Sequence, residues 1–247
     1  MTRPERPSER AGTGPERPSE RAGTEPVSAM EIVAAVSHEL RSPLTSVKGF
    51  SRLLLDRWDR LSEADKLDLV AQINRDADRV TRLVTELLDI SRIEIGRLGL
   101  RVEGIDLAAL VRDIVARVEL SHPAIVCVVA IDELPLVTAD RDRVEQILTN
   151  LIENGAKYAT VDRLRVDAYA DESSAFVAVS DEGPGIPLDE LESVFTKFYR
   201  REVAQPSGTG LGLWISRNLA EAHGGSLVAS RNERGGTTFT LRLPFTQ

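Results

Sequence analysis

Residues 37–44 read Ser-His-Glu-Leu-Arg-Ser-Pro-Leu, and this octapeptide lies inside an apolar repeat. Val33, Val36, Leu40, Leu44 and Val47 recur at spacings of three and four, the period of one face of an α-helix. At about 100° per residue, the other four fall within about 40° of Leu40. His38 falls about 160° away, with Ser42 and Thr45 beside it. The stripe therefore buries one face and displays the imidazole on the other. Pro43 removes a backbone hydrogen bond and loosens the helix just after it. A free imidazole titrates at about 6.5, so it is mostly neutral and nucleophilic at pH 7. The adjacent Glu39 can take a ring proton while the other nitrogen attacks. A lone exposed histidine is ordinary surface; the whole octapeptide singles this one out.

Outward from it, Trp58-Asp-Arg-Leu-Ser-Glu breaks the repeat, with Ser62 as a candidate N-cap. A second stripe runs through Leu69, Ile73, Ala77, Val80, Val84, Leu87 and Ile90, and Gly96 and Gly99 punctuate its end. Two amphipathic helices joined by a short turn form a hairpin. Two helices cannot enclose a core, so a homodimer with a four-helix bundle is expected.

The remaining chain alternates periods. Residues 106–118, 140–158 and 211–223 read as helices. Leu164, Val166, Ala168 and Ala170 alternate like a half-buried strand, as do Phe239, Leu241 and Leu243. Apolar runs at 125–131 and 175–179 suit buried strands. The expected fold is α+β: the helical hairpin, then an α/β sandwich with helices on one face of a mixed sheet. The expected segments are a tail at 1–26, the hairpin at 27–97 and the sandwich at 98–247. PERPSERAGT stands at 4–13 and again at 15–24. A repeated polar, Pro-containing unit cannot bury a core, so the tail is expected to be disordered.

The chain has 247 residues, 42% of them hydrophobic, and a net charge of −8. The acidic balance argues against nucleic acid as the main partner. The single cysteine, Cys127, excludes an internal disulfide and a cysteine-built metal site, and it fits a reducing compartment. The longest apolar run, Ala124–Ile131, is far short of the roughly 18 residues of a membrane helix. The polar N-terminus shows no signal peptide. A cytoplasmic protein with no membrane span is expected.

The sandwich half carries a series of polar motifs. Asn150 and Asn154 share a helix face, and an amide oxygen is a hard donor suited to Mg²⁺. Asp181-Glu-Gly183-Pro-Gly185 follows a strand. A carboxylate there can accept an adenine amino hydrogen, and the glycines let backbone approach the ring. Phe195, Phe198 and Tyr199 form an aromatic cluster with spacing that a plain core stripe explains equally well. Gly208-Thr209-Gly210-Leu211-Gly212 opens a helix whose unpaired N–H groups suit phosphate. A Rossmann site is disfavoured, because no βαβ unit with an acidic residue follows the glycines. No GxxxxGK[ST] sequence occurs, which excludes a Walker site.

The octapeptide at 37–44 resembles the phosphoacceptor box of two-component sensor histidine kinases. The later motifs resemble the nucleotide boxes of the fold shared by gyrases, heat-shock chaperones, mismatch-repair ATPases and histidine kinases. The resemblance covers about residues 28–247. It implies that His38 is phosphorylated and Glu39 activates it. It implies ATP and Mg²⁺ as cofactors, Asn154 as metal ligand, Lys157 on phosphate, Tyr158 beside the base and Thr237 near the adenine. Hydrolytic members of the fold carry a water-activating glutamate where this chain has Asn150, which favours a protein acceptor over water. The phosphoryl group is then expected to pass to an aspartate of a separate response regulator receiver domain, with input from a separate sensor protein. Relatives that dephosphorylate their regulator carry Thr or Asn at the position of Ser42, whose shorter reach weakens that case. Gly155 replaces the usual alanine, and local flexibility is the expected consequence. The alternative reading is a nucleotide-binding dimeric scaffold or a phosphatase-biased partner of a regulator. His122, in a Ser-His-Pro turn, and His223, at a helix end that suits a partly positive imidazole, read as structural.

Overall fold

The computed structural model describes residues 29–158, 163–200 and 209–245. The repeat-containing tail lies outside the described residues. Helix α1 spans Ala29–Arg57, a 3₁₀ turn spans Trp58–Arg60, and α2 spans Glu63–Glu94. Pro43 sits within α1 without ending it. Its missing N–H leaves the carbonyl of Glu39 without its helical donor. Ser62 caps α2: its hydroxyl accepts from Asp65 N at 3.1 Å, and the Asp65 carboxylate accepts from Ser62 N at 3.2 Å. This is a capping box with Asp in the usual Glu position. Gly96, at φ +63°, ends the hairpin in the left-handed region that glycine adopts without strain.

Beyond it lie β1 (Glu103–Ile105), α3 (Leu107–Ser121), β2 (Val126–Ile131), β3 (Val137–Ala139) and α4 (Arg141–Tyr158). Then come β4 (Arg163–Ala170), β5 (Ser174–Asp181), a 3₁₀ turn (Ser193–Phe195), α5 (Gly212–Ala222), β6 (Ser226–Arg231) and β7 (Thr237–Pro244). The main sheet runs β2-β4-β5-β7-β6. The β2–β4 pair is parallel and the other pairs are antiparallel. Helices α3, α4 and α5 cover one face, which receives Leu164, Val166 and Ala168 of β4 and Phe239, Leu241 and Leu243 of β7. Helix α4 buries Val144, Ile147, Leu148, Leu151 and Ile152 against it, each stabilising by about 1.5–3 kcal/mol.

Two expectations change. The run at 125–131 is a strand, but at the sheet's edge, and Val126, Val128 and Val129 are exposed. Gly155 is a packing site: a Cβ there would lie 2.4 Å from Leu164 Cδ2. The side chain of Leu164 fills the space that an alanine methyl would need.

His223 is structural. It is fully buried; Nδ1 donates to Leu219 O at 2.7 Å, and Nε2 accepts from Asp140 N at 3.1 Å. Those bonds tie the end of α5 to the start of α4. His122 caps α3 through Val118 and Ser121.

Helix α2 lies along the sandwich through polar contacts. Asp89, 1% exposed, pairs with Arg143 at 2.9 Å and accepts from Gln146 at 2.8 Å. Arg82 pairs with Glu153 at 2.6 Å.

Candidate active site

The apolar stripe of α1 turns His38 and Ser42 outward, and both are exposed. Glu39 points across the hairpin. Its Oε2 lies 2.9 Å from Arg79 Nη2 on α2, and its Oε1 lies 3.9 Å from Arg200 Nη1, beyond the aromatic cluster. Arg200 thus brings the sandwich to the residue beside His38.

In the sandwich, α4 presents Asn150 and Asn154 on one face. Asn150 Nδ2 donates to Ser216 Oγ on α5 at 2.9 Å, and Asn150 Oδ1 accepts from Asn154 Nδ2 at 3.3 Å. A Cβ on Gly212 would lie 2.4 Å from Asn150 Oδ1, so only glycine lets α5 start so close to α4. Asn154 Nδ2 is therefore engaged toward Asn150, and its carbonyl oxygen remains as a hard donor.

Lys157 ends α4. Burial pushes its ammonium below the usual lysine range, repulsion from Arg200 and Arg79 adds to this, and Glu39 opposes it. The end of α4 is thus within electrostatic reach of the carboxylate beside His38. Tyr158 follows, half-exposed, with Lys157 Nζ 5.3 Å from its ring centroid.

Asp181 closes β5 with 7% exposure. Its Oδ1 accepts from Gly183 N at 2.8 Å and Thr237 N at 3.3 Å. Burial pushes its carboxyl above the usual range, and those two bonds pull it back in part. Among the described residues both bonds fall on Oδ1. The glycines here are required by contact. A Cβ on Gly183 would lie 2.6 Å from Tyr158 O, and one on Gly185, at φ +68°, 2.2 Å from Gly235 O. These approaches join the end of α4, the β5 turn and the β6–β7 turn into one wall. Thr237 is 3% exposed and belongs to that wall.

Thr209, Gly210 and Leu211 precede α5; Gly208 lies outside the described residues. Thr209 Oγ1 accepts from Leu211 N at 3.2 Å and donates to Glu86 Oε2 on α2 at 3.0 Å. Gly210, at φ +70°, accepts from Phe198 N at 3.0 Å, which fastens the aromatic cluster to the glycine-rich turn. Phe195 packs edge-on against Phe239, with centroids 6.2 Å apart. An open groove of about 530 Å³, lined by Phe195, Trp214 and Arg217, lies on the opposite face of α5 and holds none of the Asn or Asp motif residues.

The arrangement combines a carboxylate at a wall of close backbone, a hard amide oxygen, a helix start rich in glycine and a displayed imidazole. The family model of the His Kinase A (phospho-acceptor) domain matches residues 28–96. That of the histidine kinase-, DNA gyrase B- and HSP90-like ATPases matches residues 139–247. The chain belongs to the sensor histidine kinases, as a catalytic core. It is 34% identical over 226 residues to the sensor histidine kinase WalK of Bacillus subtilis, a match covering 87% of this chain and 36% of WalK. The chain thus spans about a third of that relative's length. Full-length ShkA, solved in complex with AMPPNP, is similar with TM-score 0.64 and 29% identity, over 87% of this chain and 46% of that one. ThkA, solved in complex with the response regulator TrrA, is similar with TM-score 0.59 and 26% identity, over 87% of this chain and 61% of that one.

Several residues of this histidine kinase core escaped the sequence reading. Arg79 and Glu86 carry no motif signal, because only the packing of the hairpin and the docking of α2 on the sandwich bring them to Glu39 and Thr209. Asn232 anchors the β6–β7 turn by donating to Asp181 O at 2.8 Å and accepting from Gly236 N at 3.0 Å. Its place before a Gly-Gly pair is a turn signal that could have marked it.

Proposed function

We propose that this chain is an ATP-dependent protein-histidine kinase that phosphorylates His38 and passes the phosphoryl group to an aspartate of a separate response regulator receiver domain. The observation that carries this reading is the meeting of the two halves at Glu39. Arg200 Nη1 lies 3.9 Å from the carboxylate of the residue beside the displayed His38. The Pγ–O bond of ATP breaks, ADP leaves, a bond forms between phosphorus and an imidazole nitrogen, and Glu39 takes the ring proton.

Asp181 receives the adenine amino group, Tyr158 flanks the ring, and Gly183, Gly185 and Thr237 shape the wall. The N–H groups at the start of α5 and the Lys157 ammonium take the phosphates. Asn154 fits Mg²⁺, because its Nδ2 is held by Asn150 and its oxygen is a hard donor. When bound, that ion neutralises phosphate charge. The chain's own contribution is positioning. Asn150 has its amide engaged on both sides and cannot act as a base toward water, which favours histidine as acceptor.

The exposed Leu44, Leu55, Leu67, Val70, Val84 and Leu88 support a homodimer through the hairpin. We place the tail at 1–26, the hairpin domain at 27–97 and the ATP-binding domain at 98–247. A cytoplasmic location and a separate sensor protein complete the reading. No helix among the described residues is long and apolar enough to cross a membrane.

The test is incubation with γ-labelled ATP and Mg²⁺, beside His38→Ala and Asn154→Ala. Wild type should acquire an acid-labile, alkali-stable label that both variants lose, and should pass it to a cognate receiver domain. Nucleotide binding with no label on the protein would point to the scaffold reading.

A further inference from the structure

Helix α2 meets the sandwich through polar side chains of one face. Arg82, Glu86 and Asp89 recur at spacings of four and three, and each takes a partner from the ATP-binding half. Two of these contacts, to Glu153 and to Arg143, join opposite charges. The third differs: Glu86 reaches the turn that opens α5.

Its carboxylate accepts from Thr209 Oγ1, whose oxygen accepts in turn from Leu211 N. One hydroxyl therefore separates an anion on α2 from the backbone N–H groups that open α5. Such a helix start favours negative charge. The cradle proposed above for the nucleotide's phosphates thus has a carboxylate of the same chain at its edge. Burial pushes the Glu86 carboxyl above its usual range, the Thr209 bond and Arg82 lower it, and Asp89 adds repulsion. The group is held there despite a desolvation cost.

We propose that Glu86 is an internal anion for the phosphate cradle, so that nucleotide binding and the docking of α2 on the ATP-binding domain compete. The proposal rests on the reading of this site as an ATP site. ATP carries more negative charge than one carboxylate and brings Mg²⁺, so it wins at sufficient concentration. The docked state raises the nucleotide concentration required. Filling the cradle expels Glu86 and loosens the α2 contact, leaving Asp89–Arg143 and Arg82–Glu153 to hold the domains. The phosphates thus act on the placement of the ATP-binding domain along the hairpin.

The experiment is isothermal titration of the full chain with Mg–AMPPNP and separately with adenosine, for wild type and Glu86→Gln. Glutamine keeps the shape and an acceptor for Thr209 and removes only the charge. The AMPPNP dissociation constant should fall about three- to tenfold in the variant. The gain should shrink as salt is raised. Adenosine, which has no phosphates, should bind both proteins equally. Unchanged or weaker AMPPNP binding in Glu86→Gln, or an equal gain for adenosine, overturns the competition and leaves the ATP site standing. Failure of both proteins to bind AMPPNP overturns the ATP site and the competition together. Thermal melting of both proteins confirms that the variant folds.

Discussion

Through two helices of 29 and 32 residues, the apolar side chains that the hairpin buries among the described residues are Val36, Pro43, Leu54, Leu83 and Ile90. The 18 residues of α4 bury Val144, Ile147, Leu148, Leu151 and Ile152. The ATP-binding half closes its core within one chain, against a sheet with one covered face. The hairpin leaves Leu55 82% and Leu67 70% exposed, which supports the proposed pairing with a second copy. The division of labour follows this difference. The half with a closed core holds close backbone approaches, such as Gly185 against Gly235, that a rigid nucleotide wall needs. The half with an open core displays His38 on the outside of a helix, where the proposed acceptor would be open to both a nucleotide and a regulator.

The largest expected effect separates the two halves by chemistry. His38→Ala should abolish labelling and leave Mg–AMPPNP affinity unchanged, whereas Asn154→Ala should abolish labelling with weaker Mg²⁺-dependent binding. Titration calorimetry beside a labelling assay checks this, and any residual label in His38→Ala breaks the assignment of the acceptor to the hairpin.

The next separates them by assembly. Leu88→Glu places a charge on the open face of α2, and burying it in a bundle should weaken dimerisation about a hundredfold or more. Light scattering would then report a monomer, while the melting of the ATP-binding half stays in place. A dimer that survives the substitution would move the interface elsewhere.

Asp181→Asn sharpens the contrast within the closed half. It should weaken nucleotide binding about tenfold, because a charge-assisted hydrogen bond to the adenine amino group is lost. It should also stabilise the unliganded fold at neutral pH. Burial raises this carboxyl's folded pKa above its unfolded value, so its contribution falls as pH rises through the window between the two. Asn, which never ionises, avoids that loss. Melting temperatures at pH 4 and pH 7 check the sign: the advantage of the variant should grow with pH.

The smallest effect tests the tightness of the closed core. Gly155→Ala gains about 1 kcal/mol of helix propensity but crowds Leu164, at a cost of about 1–3 kcal/mol. Leu164→Val makes room. The double variant should be more stable than the two single effects add up to. Strict additivity in denaturant unfolding would mean that the contact does not constrain residue 155.

Much of this was legible from periodicity and turn chemistry. Strand β4 falls where Leu164, Val166 and Ala168 alternate, because a sheet covered on one face imposes that pattern. Ser62 reads as a cap because a hydroxyl before a charged first turn has one obvious donor to satisfy. The edge position of β2 was not legible. A continuous run such as Ile125–Ile131 suits a buried strand equally well, and only the sheet order decides. Strands β1 and β3, of three residues each, are too short to carry a period. In the site, Asn154 and Asp181 announced themselves through local motifs. Arg79, Arg200 and Glu86 act through partners distant in sequence, and no spacing rule reaches across that gap. Gly155 was misjudged for the same reason, since its explanation lies at Leu164.

The most direct test of the central claim is to locate the phosphoryl group after incubating the full chain with Mg²⁺ and ATP. The account predicts one acid-labile phosphoryl group, mapped by mass spectrometry of peptides kept at alkaline pH to an imidazole nitrogen of His38. An acid-stable label on a hydroxyl side chain, or release of free phosphate with no label on His38, would contradict it.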